Sequence, residues 1–427
     1  MLLKVKKLLA TDLVRVSSLT AVSTLVRMMT GMVSIKVVAT QLKPEGIALL
    51  GQLASFTLIL MSISTGGIKN GMTKYVAQYG NSKRIYTVFL STGFWITFTL
   101  SITCGLVLIF GAHYFALQTL KDAQYTPVFY VFGSTIILYA LNELLLAVIN
   151  GFREFKKFVT INITGSIVGL IFTVILALNF GVFGALIALV TYQSVVFVVT
   201  LVLISKSSQF SWKMFFGKFS KSAALRLANY SKMQIVSLIA LPLAQMLVRN
   251  YLIDEEGASN AGLWESMNRI SNIYLMVITI SLSVYYLPKL STLKTNTEIR
   301  TEVMHVYKLL IPFLLVISLL MIAFRYYIIA ILFADGFQDV QGFFPIQLLG
   351  DILKMSTWVL GYILVAKAMT KTYIVVELLS CTLFVVLSMV FVNMFGAIGA
   401  TVGYAVAFLC QLLIMIFIFR KLLFKYE

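Results

Sequence analysis

Runs of about 20 mostly apolar residues, the length a helix needs to cross the hydrocarbon layer of a bilayer, recur along this chain from end to end. Six lie near Val14 to Val38, Ile47 to Gly66, Ile85 to Phe110, Thr126 to Ile149, Phe158 to Leu178 and Val182 to Ile204. Six more lie near Met233 to Tyr251, Gly262 to Tyr286, Lys308 to Phe333, Pro345 to Ala366, Tyr373 to Met394 and Ile398 to Phe419. Only short polar connections remain between them. With 60% hydrophobic residues, 12% charged residues and a mean hydropathy of +0.95, the chain is far more apolar than a soluble core requires. Membrane-barrel strands need only about 9–11 residues, so the run length excludes them. The class expected is an all-α polytopic membrane protein with twelve transmembrane helices.

The charges orient it. The chain carries 34 Lys and Arg against 16 Asp and Glu, and if the N-terminus is inside, most of the basic residues fall on the cytoplasmic side. Only Lys43 and Lys121 fall in outside loops, where Glu45, Asp122, Asp254, Glu255, Glu256, Asp335 and Asp339 collect. This is the positive-inside pattern with both termini cytoplasmic. The formal net charge of +18 is therefore topology, and no nucleic-acid partner is implied. The basic opening MLLKVKK reads as a retained segment, since the apolar stretch after it is too long for a cleaved signal and shows no small-residue site. Cys104, Cys381 and Cys410 fall inside spans and His113 and His305 stand alone, so neither a metal site nor any cofactor is expected.

The two halves repeat. FGVFGALIAL from Phe180 recurs as FGAIGATVGY from Phe395, and at the same offset Phe158 matches Tyr373. Pro127 and Pro345 each open a span, a first-turn position that suits proline. An even number of spans per half makes the repeat parallel, with substrate expected between the halves. The domains are thus an N-terminal six-helix lobe at 1–204, a cytoplasmic basic linker at 205–232 and a C-terminal six-helix lobe at 233–427. The linker, SKSSQFSWKMFFGKFSKSAALRLANYSK, holds six basic residues and no acid. Its aromatics Trp212, Phe215, Phe216 and Phe219 suit a membrane surface with anionic headgroups.

Polar residues stripe four spans at helical spacing. Span one carries Ser17, Thr20, Thr24, Arg27, Gly31 and Ser34, and span two Gln52, Ser55, Ser62 and Gly66. Span seven adds Ser237, Gln245 and Arg249, and span eight adds Glu265, Asn268, Arg269 and Asn272. A charge near the bilayer centre costs about 2.5–3.5 kcal/mol even on the most lenient scale, so such faces turn to protein or to a water-filled cavity. Arg27 has no acid one turn away, whereas Arg269 follows Glu265 by four residues and is open to an internal ion pair. Asp351 and Lys354, three apart inside span ten, are placed to pair with each other. Asp351 and the unpaired Glu143 and Glu377 are also candidates for binding a coupling proton or sodium ion. With the unpaired interior charges dominated by arginine, the cavity favours an anion, and a guanidinium fork suits a pyrophosphate. Arg27, Arg249, Arg269 and Lys354 are the candidate phosphate contacts, with Thr24, Ser34, Gln52, Ser55, Gln245, Glu265, Asn268 and Asn272 as polar lining. No phosphate-cradling loop and no catalytic constellation is legible, so transport rather than enzymatic catalysis is expected.

NGMTKYVAQYG from Asn70, YYLPKLSTL from Tyr285 and QLLGDILKMSTWVLGYILVAKA from Gln347 resemble the Wzx-type polysaccharide flippases of the MOP exporter superfamily. The likeness runs through nearly the whole chain and is closest to the branch handling enterobacterial common antigen lipid III or O-antigen units. It implies a bacterial inner-membrane protein of two six-helix lobes in the MATE-like arrangement. It also implies movement of an undecaprenyl-pyrophosphate-linked oligosaccharide from the cytoplasmic to the periplasmic leaflet by alternating access, through a cavity lined by spans one, two, seven and eight. Docking to a polysaccharide polymerase and a chain-length regulator belongs to the same expectation. An ion-coupled multidrug exporter of the same superfamily is the alternative, and a membrane-embedded polymerase a more distant one.

Overall fold

The computed structural model describes residues 12–80, 82–207 and 210–424, with side chains described from residue 20 onward except at 230, 232 and 233. Among the described residues every regular element is helical. The principal helices are α1 (Asp12–Ser64), α2 (Lys69–Gln78), α3 (Lys83–Phe110), α4 (Thr126–Gly151), α5 (Phe155–Ser205), α6 (Lys221–Ser281), α7 (Asn296–Ala323), α8 (Phe344–Ala366), α9 (Thr370–Phe395) and α10 (Ile398–Ile418).

Nine helices among the described residues are long and apolar enough to cross a membrane. Three of the long ones, α1, α5 and α6, contain 53, 51 and 61 residues, and at 1.5 Å per residue each would run to about 75–90 Å if straight. None is straight. Each is broken by one residue outside helical dihedral space: Lys43 (φ 55°, ψ 179°), Gly181 (φ 56°, ψ −133°) and Gly257 (φ 85°, ψ 160°). Dividing three of the nine at these breaks is consistent with twelve crossings.

The breaks also carry the internal repeat into three dimensions. Gly396, 215 residues after Gly181, adopts φ 63° and ψ −151°, nearly the same backbone. Three residues beyond each, a Cβ on Gly184 would lie 1.9 Å from the Leu176 carbonyl oxygen, and one on Gly399 would lie 2.0 Å from that of Phe391. Both closures therefore require glycine, which is why FGxxGA occurs twice. The preceding turns match as well. Arg153 and Ala368 both sit at positive φ, and the amides of Glu154 and Met369 reach back to the carbonyls of Ile149 and Leu364. Lys43 and Gly257 form a third equivalent pair.

Contacts divide the chain into two compact units. One takes the stretch up to Gln41 with Leu53–Ile239, and the other takes Leu42–Gln52 with everything from Ala240 on. In the first unit the core gathers Met72, Leu90, Leu144, Val148, Ile161 and Ile204. Here α3 crosses α4 with Gly105 against Gly133, the close approach that lets helices associate by packing where lipid removes the hydrophobic drive. In the second unit Leu275, Tyr286, Leu314, Met355, Leu360 and Met415 form the core.

Span seven begins earlier than its apolar run suggests. The helix already starts at Lys221 because Ala223, Leu227 and Ser231 recur every four residues and are buried, giving the second half of the basic linker a helical face of its own. Before it, residues 210–220 fold back on the first unit. Phe210, Met214 and Phe215 are buried in its core, Phe215 stacks on Phe94 at 5.1 Å, and the Ser91 hydroxyl donates to the Lys218 carbonyl at 3.0 Å.

Candidate functional site

The polar stripe of span one lies on a helix with two exposed sides. Thr24, Arg27, Gly31 and Ser34 share one face, and Val22, Leu25 and Met29 the opposite one, where they are half or more exposed. Arg27 is exposed and makes no ion pair with any described residue. A Cβ on Gly31, one turn on, would meet nothing within 4 Å, so open space continues beside the guanidinium. Thr24 turns its hydroxyl back to the Thr20 carbonyl at 2.8 Å. Ser17 lies outside the described side chains. A helix exposed on an apolar side and on an arginine-bearing side can give only the first to lipid.

The second unit holds a buried charge cluster. Arg249 and Glu265 stand eight residues before and eight after the break at Gly257, so the turn sets them side by side. Arg249 Nη2 donates to Glu265 Oε2 at 2.6 Å and Nη1 to the Gln52 side-chain oxygen at 3.2 Å, while Gln52 donates to Asn250 at 2.7 Å. Arg269 Nε donates to the other Glu265 oxygen at 3.2 Å, and the Arg249 guanidinium lies 5.6 Å from the Trp264 ring. Glu265 fits because position 51 is glycine: a Cβ there would fall 2.4 Å from its carboxyl carbon.

This corrects the sequence expectation for Arg249. It is not an uncompensated cation, because Glu265 neutralises it, and it is only 2% exposed. Glu265 serves both guanidiniums, so the group of Arg249, Arg269 and Glu265 keeps one net positive charge, and Arg269 is the half-buried member that carries it toward the surface. The stripe opens outward along its helix. Glu265 and Asn268 are buried, Arg269 is half-buried and Asn272 is exposed. The Asn268 amide nitrogen finds no partner in the described structure. Gln245 is half-buried, Ser34 likewise, and Ser55 is buried.

Asp351 and Lys354 do not pair as expected. The Asp351 carboxylate is wholly buried and accepts from the hydroxyls of Ser271 at 2.6 Å, Tyr274 at 2.7 Å and Tyr404 at 2.8 Å. Three hydroxyls, with the Gln347 amide at 3.5 Å, hold this carboxyl group, and no ion pair to Lys354 forms among the described residues. Lys354, only 8% exposed, places Nζ 5.6–5.7 Å from the ring centroids of Trp358, Tyr404 and Phe408, within reach of cation–π attraction. It lines a small void of about 30 Å³ with Glu377 and Gln411. Trp358, Glu377 and Gln411 also border a cavity of about 260 Å³ walled by Tyr362 and Tyr373. Glu143 is likewise not unpaired. It binds Lys69 Nζ at 2.6 Å, a partner that α2 supplies from outside the apolar runs. Of the three expected ion-coupling carboxylates, Glu377 alone has neither an ion pair nor a hydrogen bond within the described residues.

Sequence reasoning missed Ser271, Tyr274 and Tyr404, which lie on other helices than Asp351. Tyr404 had one signal, since it ends FGAIGATVGY where the first copy of the repeat has Leu189.

Two helical units whose turns repeat, with nine helices among the described residues long and apolar enough to cross a membrane, are the architecture of an integral membrane protein. Solved structures agree on the fold. An inward-facing multidrug resistance MATE family transporter of the MOP superfamily superposes with a TM-score of 0.75 at 13% identity, covering 93% of this chain and 98% of that one. A MOP superfamily transporter from Pyrococcus furiosus, described by the reversed polarity of its binding pocket, superposes with a TM-score of 0.64 at 12% identity, over 94% and 96%. Residues 37–341 match the model of the polysaccharide biosynthesis protein family, and the chain belongs to that family. Among curated proteins, the Lipid III flippase of Escherichia coli (strain K12) is 28% identical over 398 residues, 93% of this chain and 96% of that protein. Its counterpart from Shigella flexneri matches to the same extent.

Proposed function

We propose that this chain is a flippase for a lipid-linked oligosaccharide, carrying an undecaprenyl-pyrophosphate-linked repeat unit of the O-antigen or enterobacterial common antigen type from the cytoplasmic to the periplasmic leaflet by alternating access. The observation that carries this reading is the near full-length similarity to Lipid III flippases. The membrane would be the bacterial inner membrane, with both termini cytoplasmic, and the process is transport rather than catalysis. A polysaccharide polymerase and a chain-length regulator are the partners such a substrate implies.

Within this reading the anion contacts are redistributed. Arg27 is the foremost phosphate contact because it is exposed and unanswered by any described acid. Arg269 follows, carrying the net charge of its cluster, whereas Arg249 holds the cluster in place. Lys354 and Glu377 line one small void, and Glu377, which has neither an ion pair nor a hydrogen bond among the described residues, is a better candidate for a coupling proton or sodium ion than Asp351, held by three hydroxyls, or Glu143, paired with Lys69. A charge that moves through a transporter must find a site it can leave.

One observation favours the exporter alternative: the 260 Å³ cavity with Glu377, Trp358, Tyr362 and Tyr373 in its wall has the chemistry of an organic-cation site. Deleting the gene separates the two. Accumulation of a lipid-linked oligosaccharide on the cytoplasmic leaflet supports the flippase and identifies its sugar. Drug sensitivity without any such accumulation supports the exporter.

A further inference from the structure

From Phe155 to Ile253 the sequence contains no acidic residue. The middle of that stretch, residues 210–226, is held to the first unit chiefly by one side. Its buried side is Phe210, Met214 and Phe215, continued by Ala223 and Leu227 in α6. Hydrogen bonds fix the backbone, from the Ser91 hydroxyl to the Lys218 carbonyl at 3.0 Å and from the Ser220 amide to the Thr92 hydroxyl at 3.2 Å. On the other side Trp212 touches Phe210 at 4.9 Å and Phe216 touches Phe94 at 5.7 Å, yet large apolar surface stays open. Trp212 is 42% exposed, Phe216 72%, Phe219 51% and Leu225 64%, and Lys213, Lys218, Lys221 and Arg226 stand exposed between them. Glu154, tied to Ser207 just before this segment by a 2.7 Å hydrogen bond from the Ser207 hydroxyl, is already engaged by Lys157 at 3.0 Å.

We propose that residues 210–226 form a preformed dock for the anionic phospholipid headgroup layer, with Trp212, Phe216, Phe219 and Leu225 sunk to the level of the upper acyl chains and the four cations on headgroup phosphates. Alternation of aromatic rings with ammonium groups is the composition that partitions to a membrane interface, where the ring sits at headgroup level and the charge remains wet. A soluble acidic partner would use the cations but leave four large apolar side chains unaccounted for. The surface also continues into a membrane helix. Phe94 of α3 touches Phe216 at 5.7 Å on one side and Trp95 at 5.7 Å on the other, and Trp95 is itself 40% exposed. A patch that merges with the exposed face of a spanning helix meets the bilayer at its edge. Because the strap is already folded, binding lipid orders little and each cation adds its attraction to an anionic surface nearly in full.

The test uses the full-length protein in nanodiscs. Brominated phosphatidylglycerol or brominated phosphatidylcholine is supplied at equal mole fraction in an otherwise phosphatidylcholine bilayer, and Trp212 emission is read as wild type minus Trp212→Phe. The dock predicts that the brominated anionic lipid quenches this component about three-fold more strongly or better, given the size of the per-cation attraction. The preference should collapse in 0.5 M salt and in the variant K213Q/K218Q/K221Q, all three of whose changes are at exposed positions. Equal quenching by both lipids would overturn the anionic preference. Absence of quenching by either would overturn membrane contact and turn the surface over to a protein partner. The salt arm uses unmodified protein, so the result does not depend on how the variant folds.

Discussion

Glu265 shows how a single carboxylate can decide the state of two guanidiniums. Removing it takes the 2.6 Å ion pair from Arg249, which is 2% exposed, and breaking a buried pair by deleting one partner costs about 3–5 kcal/mol. Glu265→Gln should therefore lower the thermal midpoint of the detergent-purified protein far more than Arg269→Gln, whose partner keeps Arg249. Equal melting curves for the two variants would mean that the cluster is not held as described. Arg27 should behave in the opposite way. With no described partner to lose, Arg27→Ala should leave protein level and melting unchanged while abolishing surface polysaccharide. The helical spacing of Arg27 was legible in the sequence, and so was the pairing of Arg269 with Glu265. The pairing of Arg249 with Glu265 was not read, because the residues belong to different spans and meet only once the chain turns at Gly257. The three hydroxyls on Asp351 come from positions as far as 80 residues away, and no periodicity within one helix announces them.

At the scale of elements, the turns are where sequence and backbone agree most closely. Gly181 and Gly396 share a conformation that L side chains rarely adopt, while Lys43 occupies the matching place at the first break with φ 55° and ψ 179°, a region that costs a non-glycine residue about 1–3 kcal/mol. Lys43→Gly should thus raise the melting temperature, and Gly257→Ala at the equivalent break should lower it. A glycine inside a helix differs again. Gly31→Ala adds a methyl group where nothing lies within 4 Å and should be neutral or favourable for folding by up to about 1 kcal/mol. The same methyl at Gly399, 2.0 Å from the Phe391 carbonyl oxygen, should prevent stable folding. Melting of this glycine series in detergent checks all four. The long helices were legible as separate apolar runs. Residues 69–78 were not, because α2 is too short and too polar to register as a span, and it brings the Lys69 that neutralises Glu143.

For the whole molecule, duplication explains why spans and turns recur while the charges do not. The Arg249 cluster and the Asp351 cluster both belong to the second unit, and the exposed Arg27 belongs to the first. Each repeat keeps the backbone solution that closes its helices, while its charged side chains differ. Family membership and the helical architecture were therefore the most legible features, and the polarity of the site the least, since a charge's meaning depends on what another helix sets beside it. The direct test of the central proposal, that the exposed Arg27 serves a lipid-linked anion, is a flipping assay in proteoliposomes. Purified protein is reconstituted with a tagged undecaprenyl-pyrophosphate-linked oligosaccharide, and the fraction reaching the outer leaflet is read with a membrane-impermeant lectin. Wild-type protein should move the lipid well above the rate of empty vesicles, with Arg27→Ala close to the empty-vesicle rate. Equal movement by both proteins would contradict the role of Arg27, and no movement above empty vesicles by either would contradict the flippase itself.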